Sequence, residues 1–251
     1  MSILTEKLRI FERIQAGRNV HVMALGSSNT EHFMVGAHWF DYVNIGFMHK
    51  YRRWTDDRSS VDNPALCLNA GTSNNTTTEL LNRFDRDVAP FKPDLLILTA
   101  GINDANPNRN ISPEQMRSNL IELRKRVNDL GGDVLFQTYY ACDMEVFQEK
   151  RPDWAANYMP YSEIIREVAG DFLNDNLVRW ERLRKYDIKA FRLLMRDYLH
   201  LNPIGNAVIG LDLARALELV VPDENLPWIP VGVFAQKTMD LLEKLEKDSA
   251  L

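Results

Sequence analysis

Short, nearly continuous apolar runs alternate with longer amphipathic stretches along the chain. The short runs have the length of strands, and the stretches between them repeat with the period of helices, a rhythm typical of β-α-β units. Continuously apolar runs favour strands that are buried on both faces of a parallel sheet. Four runs predict such strands, at 19–25, 65–69, 94–100 and 133–140, and a shorter run at 177–180 is a candidate fifth strand. We therefore predict an α/β fold built as a three-layer α/β/α sandwich around a central parallel sheet.

N-capping signals in the sequence predict where two helices begin. Ser112 precedes Pro113 and Gln115, an arrangement typical of a capping box with proline at the first helical position. The helix predicted from this signal covers 113–130 and ends at the glycine pair that follows. Asn202-Pro203 repeats the signal for a helix that begins two residues after His200.

Two other segments fit the alternation less well. Residues 33–63 predict a helix to about Trp54 and then a polar loop, which we interpret as a wall or lid beside a site. The apolar segment at 222–234 precedes a predicted helix at 235–247. It is interpreted either as a strap packed on the sheet or as a partner surface through which the chain forms a homo-oligomer.

Composition narrows the class of protein. The 251 residues are 45% hydrophobic and 26% charged, which favours one globular domain over 1–251, with the strap and helix at about 222–251. The net charge of -5 argues against nucleic acid as a partner. Without a membrane-spanning apolar run or a signal peptide pattern, we expect a cytoplasmic location. Cys67 and Cys142 are expected to be reduced core residues.

Polar residues follow the predicted strands at the points where a parallel sheet places its sites. Gly26-Ser27-Ser28-Asn29-Thr30 follows the first strand, 69–74 the second and 101–104 the third, while Asp197 and His200 precede a helix. A serine, a histidine that accepts its proton and an aspartate that orients the histidine form a hydrolytic triad. Each has an ordinary alternative: a helix cap for Ser28, a surface histidine for His200, and an Asx turn at 103–104.

Together these four blocks resemble those of the SGNH hydrolases, also called GDSL-type esterases and lipases. Gly-Asp-Ser-Leu/Ile-Thr is similar to 26–30, and Asn-x-Gly-x-Ser-Gly-Asp-Thr-Thr is similar to 69–77. Gly-x-Asn-Asp is matched at 101–104, and Asp-x-x-His is matched by Asp197 and His200. The blocks occur in the family's order.

The resemblance implies a flavodoxin-like SGNH hydrolase fold and a serine esterase without a cofactor or a metal. It makes Ser28 the nucleophile, His200 the base and Asp197 the residue that orients the base. The oxyanion hole would consist of the backbone N–H groups of Ser28 and Asn74 and the side-chain amide of Asn103.

Two positions depart from the family pattern. Ser27 replaces an acidic residue that supports the turn, and Asn74 replaces a glycine whose backbone N–H is an oxyanion donor in the family. An asparagine still supplies that donor and tolerates left-handed backbone geometry better than most residues. We therefore expect the reaction class to be retained.

The family's range favours a small acyl group, such as acetyl, on a sugar or another alcohol as the substrate. A lysophospholipid or thioester substrate, acyl transfer, and a non-catalytic binding protein remain open alternatives. The sequence has no Gly-x-Ser-x-Gly elbow, phosphate loop or dinucleotide fingerprint. His32, His38 and His49 lack metal-binding spacing and favour packed or solvated roles. The basic run 49–54 favours a solvated helix face, with a substrate entrance as the alternative.

Overall fold

A central parallel sheet carries helices on both of its faces. The computed structural model describes residues 3–32, 35, 38–54, 56, 60–219 and 229–248. The strands in this part of the chain are β1 (Val20–Gly26), β2 (Arg53–Trp54), β3 (Val61–Asp62), β4 (Ala65–Gly71), β5 (Leu95–Thr99), β6 (Asp133–Gln137) and β7 (Leu173–Asn174). The helices are α1 (Ile3–Lys7), α2 (Arg9–Gln15), α3 (Trp39–Tyr51), α4 (Thr77–Asn82), α5 (Phe84–Asp87), α6 (Pro113–Asp129), α7 (Met144–Lys150), α8 (Pro152–Ala169), α9 (Asn176–Tyr186), α10 (Ile188–Arg192), α11 (Pro203–Ala216) and α12 (Ile229–Asp248).

Five strands pair in the order β4-β1-β5-β6-β7, and all of these pairs are parallel. Side chains of β1 alternate between two cores, with Val22 and Ala24 in one and Met23 and Leu25 in the other. Helices α3 and α11 contribute to the first core, and α6 and α8 to the second. The predicted α/β fold and its four long strands are thus confirmed. The inner strands β1, β5 and β6 are buried on both faces, whereas β4 lies at the edge of the sheet and leaves Leu66 half exposed.

The predicted fifth strand at 177–180 is wrong. These residues lie in α9, and the fifth strand is the shorter β7 at 173–174. The Asp175 carboxylate accepts the backbone N–H of Val178 at 3.4 Å and caps the helix. A run of four apolar residues does not distinguish a strand from the buried face of a helix.

The two helices predicted from their capping signals are confirmed, although the Gln115 side chain at the start of the first one makes a different contact from the one expected. Ser112 Oγ accepts the backbone N–H of Gln115 at 3.1 Å, as expected for a helix cap. The Gln115 side chain does not return to Ser112 and instead donates to Asn119 Oδ1 at 2.8 Å. Since Asn119 is only 4% exposed, this contact ties the start of α6 to a buried polar group.

In the segment at 33–63, the described helix is shorter than the one predicted to run to about Trp54, and two short strands follow it. Residues 33–34, 36–37, 55 and 57–59 of this segment lie outside the described residues. Helix α3 begins at Trp39, after the N-cap His38, and ends before Arg53. Arg53 and Trp54 pair with β3 in an antiparallel hairpin. The guanidinium of Arg53 lies 3.4 Å from the carbonyl of Gly17, just before β1, so the hairpin lies at the amino edge of the sheet. A substrate entrance formed by the basic run is therefore wrong.

Helix α12 is longer than predicted and includes residues that were expected to form a strap. Pro230 is its second residue, where proline interrupts no intrahelical hydrogen bond. Met239 and Leu242 are buried, and Glu246 pairs with Arg179 of α9 at 2.9 Å. The rest of the predicted strap, 222–228, lies outside the described residues. Among the helices that the structure describes, none has the length and apolar character needed to cross a membrane.

Candidate active site

The turn after β1, residues 27–30 and here called the nucleophile turn, folds back against the neighbouring strands. The backbone N–H groups of Thr30 and Glu31 both donate to the carbonyl of Ser27 at 2.9 Å. A Cβ at Gly71 would lie 2.2 Å from the carbonyl carbon of Thr30, so the contact requires glycine there. Within the described residues, the next α-helix after β1 starts at Trp39, and Ser28 Oγ faces a histidine ring instead of a helix N-terminus, so the interpretation of Ser28 as the cap of an α-helix near Thr30 is wrong.

Ser28 faces a histidine from the loop at 196–201, here called the histidine loop. Ser28 Oγ lies 3.0 Å from His200 Nε2, and His200 Nδ1 lies 2.9 Å from both carboxylate oxygens of Asp197. The loop is closed by the backbone N–H of Arg196, which donates to the carbonyl of His200 at 2.7 Å. The structure therefore brings the three predicted residues into one hydrogen-bonded chain.

The Asp197 carboxylate is held in its ionised form. Burial raises its pKa, but hydrogen bonds from the His200 ring and from the backbone N–H groups of Leu199 and His200 outweigh burial and hold the pKa well below its usual range. A carboxylate at this position accepts the Nδ1–H of the imidazole. Nε2 is then the free acceptor that faces Ser28.

The three predicted oxyanion donors line the same cavity. Asn74 has a φ of 62°, the left-handed conformation expected for a residue that replaces glycine. Within the described residues, the backbone N–H groups of Ser28 and Asn74 donate to no protein acceptor. Asn103 Nδ2 donates one hydrogen to the carbonyl of Asn75 at 2.9 Å, which leaves its second hydrogen available. Unpaired donors at a cavity wall are available to a ligand oxygen.

Asn74 does not cap the following helix, which is the ordinary alternative for an asparagine at this point. The N-cap of α4 is Thr76, which forms a capping box with Glu79. The carbonyl of Asn75 is fixed by Asn103, and its side-chain oxygen accepts from Arg83 Nε at 2.7 Å. Hydrogen bonds to the backbone and to the side chain of Asn75 therefore fix the loop that carries the Asn74 N–H.

The cavity has a volume of about 180 Å³. Its apolar walls come from Ile102, Tyr139, Trp154 and Leu199. The indole N–H of Trp154 donates to the carbonyl of Ile102 at 2.6 Å, so the wall also supports the loop that carries Asn103. Such a cavity accepts a small apolar group beside the polar atoms at its base.

Two buried charged residues support the loops from below. Arg83 is 9% exposed, and its Nη2 donates to the carbonyls of Gly26 at 3.1 Å and Ala70 at 2.7 Å, which joins the ends of β1 and β4. Asp104 is 1% exposed and accepts the backbone N–H of Thr77 at 3.0 Å, while burial raises its pKa. Asp104 thus anchors the start of α4, and the Asx-turn interpretation does not describe its main contact.

A histidine is packed against the nucleophile turn. His38 is 1% exposed, and its Nε2 lies 2.9 Å from the carbonyl of Asn29. Its Nδ1 accepts the backbone N–H of Phe40 at 3.3 Å, and burial lowers its pKa to about 4. The predicted packed role is confirmed for this histidine. In the part of the chain that the structure describes, no three His, Cys, Asp or Glu side chains are grouped to hold a metal ion.

Sequence reasoning missed the apolar walls of the cavity. Tyr139 follows β6 at the carboxyl edge, but the strand was predicted to run to residue 140, so a search of the residues after each predicted strand did not include it. Ile102 and Leu199 lie inside the recognised blocks but carry no polar atom that marks a site. Trp154 comes from α8, and no local pattern places that helix beside the cavity.

The profile of the GDSL-like Lipase/Acylhydrolase family matches residues 24–208, more than half of the chain. The chain therefore belongs to this family, also known as the SGNH hydrolases. No curated protein sequence matches the chain.

Solved structures of the same fold come from several esterases. An acetylxylan esterase from Geobacillus stearothermophilus is 16% identical with a TM-score of 0.65, covering 83% of this chain and 98% of that one. The acetyl xylan esterase AlAXEase is 21% identical with a TM-score of 0.62, covering 79% of this chain and 100% of that one. A lipase/acylhydrolase from Enterococcus faecalis is 20% identical with a TM-score of 0.59, covering 81% and 99% respectively. At these identities the likeness concerns the fold.

Proposed function

We propose that this acylhydrolase cleaves esters of small acyl groups through a covalent intermediate on Ser28. The observation that carries the proposal is the chain of hydrogen bonds from Ser28 Oγ through the His200 ring to Asp197, with distances of 3.0 and 2.9 Å. A serine hydroxyl is a weak nucleophile unless an adjacent base takes its proton, and this arrangement supplies the base.

The reaction follows from the positions of these atoms. Ser28 Oγ attacks the ester carbonyl carbon while its proton passes to His200 Nε2, and Asp197 stabilises the resulting imidazolium. The tetrahedral intermediate collapses, the carbon–oxygen bond to the alcohol breaks, and His200 returns the proton to the departing alcohol. Water then attacks the acyl-enzyme with the same base and releases the carboxylic acid and free Ser28.

The oxyanion of each tetrahedral intermediate would be held by the N–H groups of Ser28 and Asn74 and by the second amide hydrogen of Asn103. Within the part of the chain that the structure describes, these N–H groups line the cavity and are not taken up by other acceptors, so they need no rearrangement when the charge forms. The left-handed backbone at Asn74 supports its role as a substitute for the family's glycine.

The size of the cavity supports a short acyl group. Its volume is about 180 Å³. It is smaller than the roughly 300–1,000 Å³ of sites that enclose drug-sized ligands. The acetylxylan esterases of the same fold support acetyl as the acyl group and a sugar hydroxyl as the alcohol.

Labelling with a fluorophosphonate tests the nucleophile. Ser28→Ala should abolish both labelling and hydrolysis of p-nitrophenyl acetate. The matched control is Ser27→Ala, which removes the adjacent hydroxyl of a residue that is 3% exposed and should retain both activities. Full labelling of Ser28→Ala would refute the mechanism, and a parent protein that neither labels nor hydrolyses esters would favour the binding-protein alternative.

The chain-length dependence of hydrolysis tests the substrate class. Acetyl and propionyl p-nitrophenyl esters should be better substrates than octanoyl esters, because the longer chain exceeds the cavity. Trp154→Ala removes one wall and should shift the preference toward longer chains, whereas an unchanged preference would show that the cavity does not hold the acyl group.

A further inference from the structure

One buried hydroxyl lies between the nucleophile turn and the histidine loop. Tyr140 follows β6 and is 3% exposed. Its Oη lies 2.6 Å from Oδ1 of Asn29 in the nucleophile turn, and 2.7 Å from the carbonyl of Leu199 in the histidine loop. The same oxygen accepts the backbone N–H of Leu201 at 3.1 Å. A single atom thus contacts both of the loops that carry the proposed reacting groups.

The Tyr140 hydroxyl has an acceptor in each loop. Its single proton can be donated to Asn29 Oδ1 or to the carbonyl of Leu199, which also accepts from Tyr139 Oη at 3.0 Å. The Tyr140 oxygen takes the N–H of Leu201 in either case. Burial raises the pKa of both phenols well above the ordinary 10.0, so both stay protonated donors near neutral pH.

We propose that the Tyr140 hydroxyl is a positioning group that fixes the nucleophile turn against the histidine loop and so sets the distance from Ser28 to His200. The inference rests on the proposed function, since this distance matters only if the two side chains exchange a proton. Asn29 follows Ser28 directly, and Leu201 follows His200 directly. A displacement of about 1 Å between reacting groups can cost roughly 100-fold in rate.

The bridge can be removed without disturbing the aromatic packing. The Tyr140 ring stacks on Tyr139 at a centroid distance of 4.6 Å and lies 5.4 Å from Trp180, contacts that Tyr140→Phe retains. Tyr158→Phe is the matched control, because Tyr158 is 1% exposed and belongs to the same cluster. Within the described residues, its hydroxyl donates to the backbone carbonyl of Tyr140 and to neither of the two loops.

Steady-state hydrolysis of p-nitrophenyl acetate by the full chain separates positioning from stability. Tyr140→Phe should lower kcat about 10- to 100-fold with KM within about threefold, because the substrate cavity is intact and only the proton transfer geometry is altered. Tyr158→Phe should keep both constants near those of the parent while its Tm falls. An unchanged kcat in Tyr140→Phe, or an equal loss in Tyr158→Phe, would overturn the proposal.

A double-mutant cycle tests the link itself. If Tyr140 acts through Asn29, the double variant Tyr140→Phe/Asn29→Ala should lose no more kcat than the worse single variant, because each substitution breaks the same contact. A loss equal to the product of the two single losses would contradict the proposal.

Hydrogen exchange decides the question without relying on ester hydrolysis. The backbone N–H of Leu201 should exchange about tenfold faster in Tyr140→Phe than in the parent or in Tyr158→Phe, because it loses its acceptor. Unchanged exchange would refute the bridge even in an inactive protein. An inactive parent with accelerated exchange in Tyr140→Phe would instead retain the bridge and overturn the proposed function.

Discussion

The two edges of the central sheet use polar side chains in opposite ways. At the carboxyl edge, the N–H groups of Ser28 and Asn74 have no acceptor among the described residues and line a cavity of about 180 Å³. At the amino edge, Asp94 precedes β5 and Asp133 begins β6, and both carboxylates are bound by arginines of α2. The carboxyl edge therefore presents hydrogen-bond donors to a ligand, whereas the arginine donors at the amino edge bind carboxylates of the protein itself.

At the amino edge, the carboxylates of Asp133 and Asp94 each accept several hydrogen bonds. Asp133 accepts hydrogen bonds from the backbone N–H of Arg9 at 2.8 Å, from Nε at 2.9 Å and from Nη2 at 2.6 Å. Asp94 is bonded by Arg13 and by the backbone N–H of His21. Charged pairs with these geometries hold α2 against the starts of the strands.

Cavity size alone would select the amino edge of the sheet instead of the edge that carries Ser28. The amino edge has a cavity of about 390 Å³, larger than the one at Ser28. Its guanidinium groups are already occupied, because Arg9 is bound to Asp133 and Arg124 donates to the carbonyl of Ala169 at 3.0 Å. The comparison teaches that unpaired donors beside a nucleophile identify the candidate site better than volume does.

The largest effect should come from removing a donor at the carboxyl edge. Asn103→Ala should lower kcat about 10²- to 10³-fold, the usual loss for one oxyanion donor. Asn74→Gly should stay within about tenfold of the parent, because the backbone donor remains and glycine adopts the same conformation. Both variants would be compared by kcat and thermal midpoint. A collapse of kcat in a folded Asn74→Gly variant, with Asn103→Ala near the parent, would reverse the assignment of the donors.

A smaller effect should appear in the pH dependence of stability, through the histidine that supports the nucleophile turn. The folded-state pKa of His38 is about 4, below the ordinary 6.5, so the unfolded chain binds more protons between these values. The free energy of unfolding that depends on neutral His38 is fully present above pH 6.5 and is lost as the pH falls toward 4. The loss amounts to roughly 3 kcal/mol in all. Urea unfolding at pH 7 and pH 4 measures this loss.

The control for this prediction is His38→Asn, which keeps a residue that caps helices well but does not titrate. The stability of this variant should fall less between the two pH values than that of the parent. Equal losses would mean that the pKa of His38 is the same in the folded and unfolded protein, so that both states take up the proton in this range.

The smallest effect should come from the amino edge, and it should leave catalysis unchanged. Asp133→Asn should lower the free energy of unfolding by about 1–2 kcal/mol, because charge-assisted hydrogen bonds become neutral while the half-exposed Arg9 keeps its hydration. The matched control, Asp129→Asn, removes an exposed carboxylate paired with Lys125 and should change stability very little. Urea midpoints and kcat are the readouts, and a loss of kcat in Asp133→Asn would break the separation of the two edges.

Much of the fold could be predicted because local burial leaves a local pattern. The run at 94–100 is nearly continuously apolar, since β5 is covered on both faces, and Ser112-Pro113 starts α6 through contacts within a few residues. The run at 177–180 failed because four apolar residues suit both a short strand and a buried helix face. Asp175, two residues earlier, decided between the two by capping α9.

The sequence by itself determined the fold class, the family's blocks and the identity of the residues that meet at the carboxyl edge. Parallel strands place their ends at one edge, so residues as distant as Ser28 and His200 were expected to meet. Only the tertiary structure decided which donors stay unpaired and what surrounds them. Trp154 from α8 and the Tyr140 hydroxyl reach the site through packing between distant elements. Contacts between elements so far apart in the sequence leave no local pattern from which they could be predicted.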